Sequence, residues 1–242
     1  CRNFGQKGIP KRVRTALSGA LFRLPTPIKR VAEILSLFEQ PVDWSVLSRI
    51  SGISEESFRQ SLSALRRIGL VQTDGLSIRY PDARTLLHLR ISKVRRTDLH
   101  TRCFRHLKEE GCSDSILADD AFQGEQFETA GALYRQLARD SFFSKNYRDA
   151  ARYYRAMAEC RVKDSLVPAL DPSDNVKLAT CCAYQGEKGG ARRILEQVLK
   201  ASLAQEDPAL LSSVYATMAS PLIEDSGQER VRLSDCGVFR ER

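Results

Sequence analysis

The sequence predicts a mainly α-helical chain, in which a winged helix-turn-helix with a small β-hairpin wing is followed by a tetratricopeptide-like α-solenoid. Three observations predict it. Between Ser54 and Gly69, the residues Phe58, Leu62, Leu65 and Ile68 recur at steps of four, three and three, which sets them on one buried stripe of a helix. Directly after Gly69, two short β-prone runs, Leu70–Thr73 and Leu76–Tyr80, flank Asp74-Gly75, a pair favoured in tight hairpins. Farther on, Tyr134-x-x-Leu137-Ala138 leads to Tyr147-x-x-Ala150-x-x-x-Tyr154, the spacing of a tetratricopeptide repeat, where large residues of one helix fill the gap left by a small residue of the next.

Each element has its own warrant. Ile9-Pro10 precedes an amphipathic segment with Val13, Leu17, Leu21 and Phe22 on one side, so residues 1–25 read as a lead-in helix arriving from an upstream domain. The winged-helix domain covers 26–92. Thr26 caps its first helix, Pro27 opens it where a missing N–H is harmless, and Ile28, Val31, Ile34, Leu35 and Phe38 face inward. Trp44 to Ile50 forms the second helix, with Trp44 as a core anchor, and Ser51-Gly52-Ile53 turns into the recognition helix. Ser54 caps that helix, Glu55 and Glu56 complement its dipole, and Gly69 supplies a left-handed stop. After the wing, Pro81-Asp82 starts a helix carrying Leu86, Leu87, Leu89 and Ile91. Connecting helices fill 93–122, with Leu99, Cys103, Phe104 and Leu107 on an apolar side and Gly111 behind them.

Helical repeats occupy 123–220. A second copy of the repeat pattern runs through Leu178-Ala179, Gly186-Glu187, Ala191 and Leu195, and Ala191 follows Ala150 by 41 positions against a repeat of roughly 34. The excess residues are expected in the Pro- and Asp-containing stretch 166–174. Asp207 to Met218 begins a third copy, and 221–242 reads as a frayed tail.

The chain has 242 residues and a net charge of +8. Residues 1–110 hold 21 Lys/Arg against 10 Asp/Glu, a net of +11, and residues 111–242 hold 17 against 20, a net of −3. Such asymmetry fits an anionic partner for the first half, either nucleic acid or an acidic protein surface, and it equally fits a well-solvated basic face. Seven cysteines, none in a Cys-x-x-Cys pair, indicate neither a disulfide framework nor a zinc ribbon, and a reducing cytoplasm suits them. No apolar run approaches the roughly 20 residues of a membrane-spanning helix. The opening at Cys1, without an initiator Met or a signal pattern, reads as the start of a fragment of something longer.

No catalytic constellation is visible, and no cofactor or metal is expected. The phosphate-cradling pattern Gly-x-x-x-x-Gly-Lys-Ser/Thr is missing, so the segment is not expected to be an ATPase by itself. His100, Cys103 and His106 lie three apart on one helix with Cys112 beyond, but steps of three drift around the helix by about 60° each and no second ligand pair faces them. His88 completes the histidines, none of them beside a nucleophile motif, and the carboxylate pairs Glu55-Glu56, Glu109-Glu110 and Asp119-Asp120 read as caps and solvated charge. Two surfaces remain as binding candidates. Ala132, Arg135, Arg139 and Phe142 take first-helix positions that line the concave groove of a repeat, where two arginines suit an acidic peptide or ligand, or stand on an unoccupied solvated surface. Arg59, Arg66 and Arg67 of the recognition helix and Arg79 of the wing are the groups able to reach nucleic acid or a neighbouring domain. Gln60, Ser61 and Ser63 are the short polar groups in the middle of that helix's exposed face.

Taken in order, Ile9-Pro10 to Leu24-Pro25, the winged helix, Ile78-Arg79-Tyr80 running into Leu86-Leu87, Asp98-Leu99-His100 and the helices after Ala118 resemble the segment that follows the nucleotide-binding module in signal-transducing ATPases with numerous domains. That family includes maltose-regulator-like, LuxR-type large ATP-binding regulators, and the likeness covers about Gly8 to Ser202. The resemblance implies a winged helix packed against an upstream nucleotide-binding domain and a helical superhelix that senses an inducer or inhibitory partner. Members often carry a histidine shortly after the last wing strand that reaches the nucleotide; Asp82 stands nearest to that place here, and a carboxylate repels phosphate. The expected function is a non-catalytic regulatory and partner-sensing fragment of a multidomain signalling ATPase or transcription regulator, with the winged helix as an interdomain wedge. Its partners are then an upstream nucleotide-binding domain and a protein or peptide on the repeats, with weak, non-specific nucleic acid binding and no membrane. The alternative is a winged-helix DNA-binding transcription factor whose helical repeats bind a protein.

Overall fold

A computed structural model describes Thr15, Gly19, Leu21 and residues 23–38, 41–72, 75–167, 169–205, 207–220 and 222–223. Most of the lead-in segment, Asp74 of the expected hairpin turn and nearly all of the expected tail lie outside the described residues; Thr15, Gly19 and Leu21 are helical. The chain divides into two compact units, residues 1–133 with 163–167 and residues 134–162 with 168–242.

In the first unit three helices, α1 (Thr26–Leu35), α2 (Trp44–Ser51) and α3 (Glu55–Arg67), enclose one apolar core, to which α4 (Pro81–Arg90), α5 (Lys93–Glu109) and α6 (Asp114–Gln123) add their inner faces. The local chemistry of α3 follows the residues. The Ser54 hydroxyl accepts the Ser57 N–H at 3.3 Å, two glutamates fill the first turn, and Gly69 stops the helix at φ 72°, where its Leu70 neighbour donates to the Leu65 carbonyl. Phe58, Leu62 and Leu65 are buried as the stripe requires. Ile68 is 59% exposed instead: α3 ends at Arg67, and Ile68, as C-cap, has already left the helical path that would turn it inward. Ser61, expected on the outer face, is buried, because it lies three residues from Phe58 and four from Leu65 and so shares their side. Trp44 is a half-buried rim residue, meeting Phe58 edge-on with ring centroids 4.7 Å apart.

The expected β-hairpin wing is not formed as strands. Among the described residues there is a single antiparallel bridge, Val71 to Ile78, supported by Gln72 N–H to the Ser77 carbonyl at 3.1 Å and Arg79 N–H to the Leu70 carbonyl at 2.9 Å. Val71, Ser77 and Ile78 are all buried, so the segment is held down by its side chains rather than projecting as a ribbon. Without a strand on either side the backbone ladder cannot lengthen.

The remaining helices are α7 (Phe127–Phe143), α8 (Tyr147–Lys163), α9 (Pro172–Tyr184), α10 (Lys188–Gln205) and α11 (Pro208–Met218). Three of their corners are built alike. Glu125, Lys145 and Gly186 are left-handed at φ 58°, 60° and 80°, and in each case the next residue's N–H returns to a carbonyl five positions back: Gln126 to Ala121, Asn146 to Ser141 and Glu187 to Cys182, at 2.8–2.9 Å. Four residues past each bonding N–H stands a fully buried alanine, Ala130, Ala150 and Ala191. The sequence reading found the last two corners and missed the first, where Glu125 holds the place that Gly186 holds in the third. In the second unit, Tyr134 of α7 stacks on Tyr153 of α8 at 6.2 Å, and Pro172, Ser173 and Asp174, expected among the inserted residues, form the first turn of α9 instead.

Candidate functional site

Arg135 and Arg139 are one helical turn apart on α7 and therefore share a face. The structure brings both onto the start of α9. Asp174, 0% exposed, accepts from Arg135 Nε at 3.1 Å, from Arg139 Nε at 3.1 Å and Nη2 at 2.9 Å, and from Lys177 Nζ at 3.1 Å. A second carboxylate, Asp171, lies with Oδ2 2.5 Å from Arg135 Nη2, at an angle too oblique for a hydrogen bond, and 3.4 Å from Arg139 Nη2. Its side chain is 51% exposed. Three cations thus meet two carboxylates. Burial alone would push the Asp174 carboxyl up, but hydrogen bonds from Arg139 and Lys177 hold it below its usual range, and Asp174 in return raises the proton affinity of Arg139. Tyr154 of α8 is fully buried beside this cluster; its hydroxyl has no partner of hydrogen-bonding geometry among the described residues, and burial, followed by the Asp174 charge, pushes its pKa up.

Phe142 belongs to a neighbouring aromatic cluster: its ring meets Phe143 at 6.0 Å and Tyr147 at 5.8 Å, and Tyr147 stacks on Tyr184 at 4.0 Å with 8° between the planes. Lys177, 6.0 Å from the Phe143 ring, links the two clusters. Ala132 is exposed and belongs to the first unit. Sequence reasoning thus named the arginines but missed Asp171, Asp174, Lys177 and Tyr154. A signal was present, since Asp171, Asp174 and Lys177 recur at steps of three on one side of a helix start.

On α3 the cationic residues are dispersed. Arg59 donates to Glu55 at 2.7 Å and lies 5.9 Å from the Trp44 ring centre, while Arg66 and Arg67 are exposed in the last turn and Arg79 is exposed beyond the bridge. Of the residues weighed for a metal, His100 is buried and pairs through Nδ1 with Asp120 at 2.7 Å, and His106 pairs with Glu109 at 3.3 Å. Burial pushes the Asp120 carboxyl up against the pull of His100. No group of three His, Cys, Asp or Glu residues able to hold a metal occurs among the described residues, and no described helix is long and apolar enough to cross a membrane.

No family model matches the chain, and no curated protein does. Among solved structures the chain is similar to the crystal structure of a Signal Transduction ATPase with Numerous Domains (STAND) protein with a tetratricopeptide repeat sensor from Pyrococcus horikoshii, at 15% identity and a TM-score of 0.47. The match takes in 87% of this chain and 37% of that one, so the chain spans little more than a third of its neighbour's length.

Proposed function

We propose that the chain is a non-catalytic, partner-sensing segment of a multidomain signalling ATPase or transcription regulator, in which the second unit captures an acidic protein segment on Arg135 and Arg139. The observation that supports this reading is the arginine pair itself: two guanidinium groups on successive turns of one helix, aligned by a buried carboxylate and also contacted by the half-exposed Asp171. A bidentate donor set fixed in this way suits carboxylates. The first unit acts in this reading as a wedge against an upstream nucleotide-binding domain, since Arg59 is engaged with Glu55 and Trp44 and the other cations are scattered.

A fluorescein-labelled hexaglutamate peptide tests the groove by anisotropy. The wild-type protein should bind it, and Arg139→Gln and the double Arg135→Gln/Arg139→Gln variant should weaken binding by at least about tenfold, the scale of losing one hydrogen bond to a charged group. Gln is preferable to Glu, which would set further carboxylates against buried Asp174. Equal binding by a folded double variant, or none by the wild type, removes the groove reading.

A further inference from the structure

The start of α9 repeats a device found at the start of α11, with one difference. Both helices begin Asp-Pro: Asp171-Pro172 and Asp207-Pro208. Asp207 caps its helix, its carboxylate accepting the Leu210 N–H at 3.1 Å. Asp171 occupies the same N-cap position with ordinary extended backbone (φ −60°, ψ 149°), yet its side chain makes no capping bond. The carboxylate points instead at the arginines of α7, 2.5 Å from Arg135 and 3.4 Å from Arg139. An Asp at an N-cap ordinarily accepts from the second or third helical N–H, here Ser173 or Asp174. Asp171 has forgone that partner for a second one.

We propose that Asp171 is a built-in stand-in for the acidic partner: a carboxylate of the bound segment takes its place on Arg135 and Arg139, and Asp171 swings back to cap α9. This rests on the groove reading above and adds its mechanism. The two carboxylates of the cluster are unequal in the way such an exchange needs. Asp174, fully buried and holding four hydrogen bonds from three cations, stays fixed and keeps both guanidinium groups aligned. Asp171 is half exposed, holds its arginines through one oblique and one long contact, and has a vacant capping position to move to. With three cations against two carboxylates, an incoming anion meets a site of net positive charge even before Asp171 leaves. The capping bond gained on departure offsets part of the ion pair lost, so the site remains open to exchange.

Two variants separate the parts. Asp171→Asn removes the competing charge but keeps a capping side chain, since Asn caps as well as Asp; Asp171→Ala removes both. The hexaglutamate peptide should bind Asp171→Asn about fivefold more tightly than the wild type, the scale of one partly exposed ion pair. In the wild type the Ser173 or Asp174 amide should shift in a ¹H–¹⁵N spectrum on peptide addition, and in Asp171→Ala that shift should be missing. If the wild type binds and the arginine variants do not, but Asp171→Asn binds no better, the stand-in is overturned while the groove survives. If tightening occurs without the amide shift, the capping swing is overturned. If no variant binds, the groove reading fails before the exchange is reached.

Discussion

Asp174 shows how one buried carboxylate can govern a whole site. A fully buried charge is tolerated only when partners repay its lost hydration, and here Arg135, Arg139 and Lys177 do so. Removing it leaves three cations around an empty centre, so Asp174→Ala should lower unfolding free energy by about 3–5 kcal/mol in urea denaturation, whereas Asp171→Ala, at the exposed edge, should cost about 1 kcal/mol or less. The spacing of Asp171, Asp174 and Lys177 on α9 was legible in the sequence, but their pairing with the arginines was not, because partners 35 and 39 positions apart belong to different helices. His88 gives a second residue-scale expectation. Burial, with Arg96 next in effect, lowers its pKa to about 4. The folded protein keeps it neutral while the unfolded chain takes up a proton at its ordinary 6.5, so stability is lost as pH falls from that value toward about 4. A His88→Gln variant should show a flatter dependence of Tm on pH across that window.

At the scale of the element, the three like corners set the rules. The left-handed position is free of strain for Gly186 but not for Lys145 or Glu125. Gly186→Ala should therefore destabilise by about 1–2 kcal/mol, and Lys145→Gly should raise Tm slightly, the relief of strain exceeding the added chain entropy. Differential scanning calorimetry of the two variants tests both signs. The repeat was readable where large and small residues recur together, as at Tyr147, Ala150 and Tyr154, and unreadable at the first corner, where Ala130 alone marks the position and Glu125 carries no glycine signature although its backbone does the same work. In α3 both ends were marked by Ser54 and Gly69 and the helix stands where those marks put it. The wing failed for a different reason: an Asp-Gly pair sets a turn, but the burial of Val71, Ser77 and Ile78 decides how far the backbone pairs.

Across the whole molecule the charge is uneven, with +11 in residues 1–110. Scattered positive charge neutralises phosphates without reading bases, so duplex DNA should bind with a Kd on the order of micromolar or weaker, and affinity should collapse between about 50 and 200 mM salt. Anisotropy with a random duplex library measures this, and one enriched sequence that survives at the higher salt and is lost in Arg66→Ala would restore the DNA-reading alternative.

The buried cysteines have a consequence in time rather than in space. Cys103 of the first unit and Cys160, Cys181 and Cys182 of the second are buried and unbridged, and burial pushes Cys160 up to about 11 and Cys181 up to about 12, with Cys103 raised as well. A buried thiol that stays protonated is inert to alkylation until its helix opens. Among the described thiols half-buried Cys112 should react first, and the later reactions then act as clocks, Cys103 timing the opening of one unit and the other three timing the opening of its companion. Mass spectrometry of a single alkylated sample would read both rates at once, and a ligand that tightens the second unit should slow only the second clock.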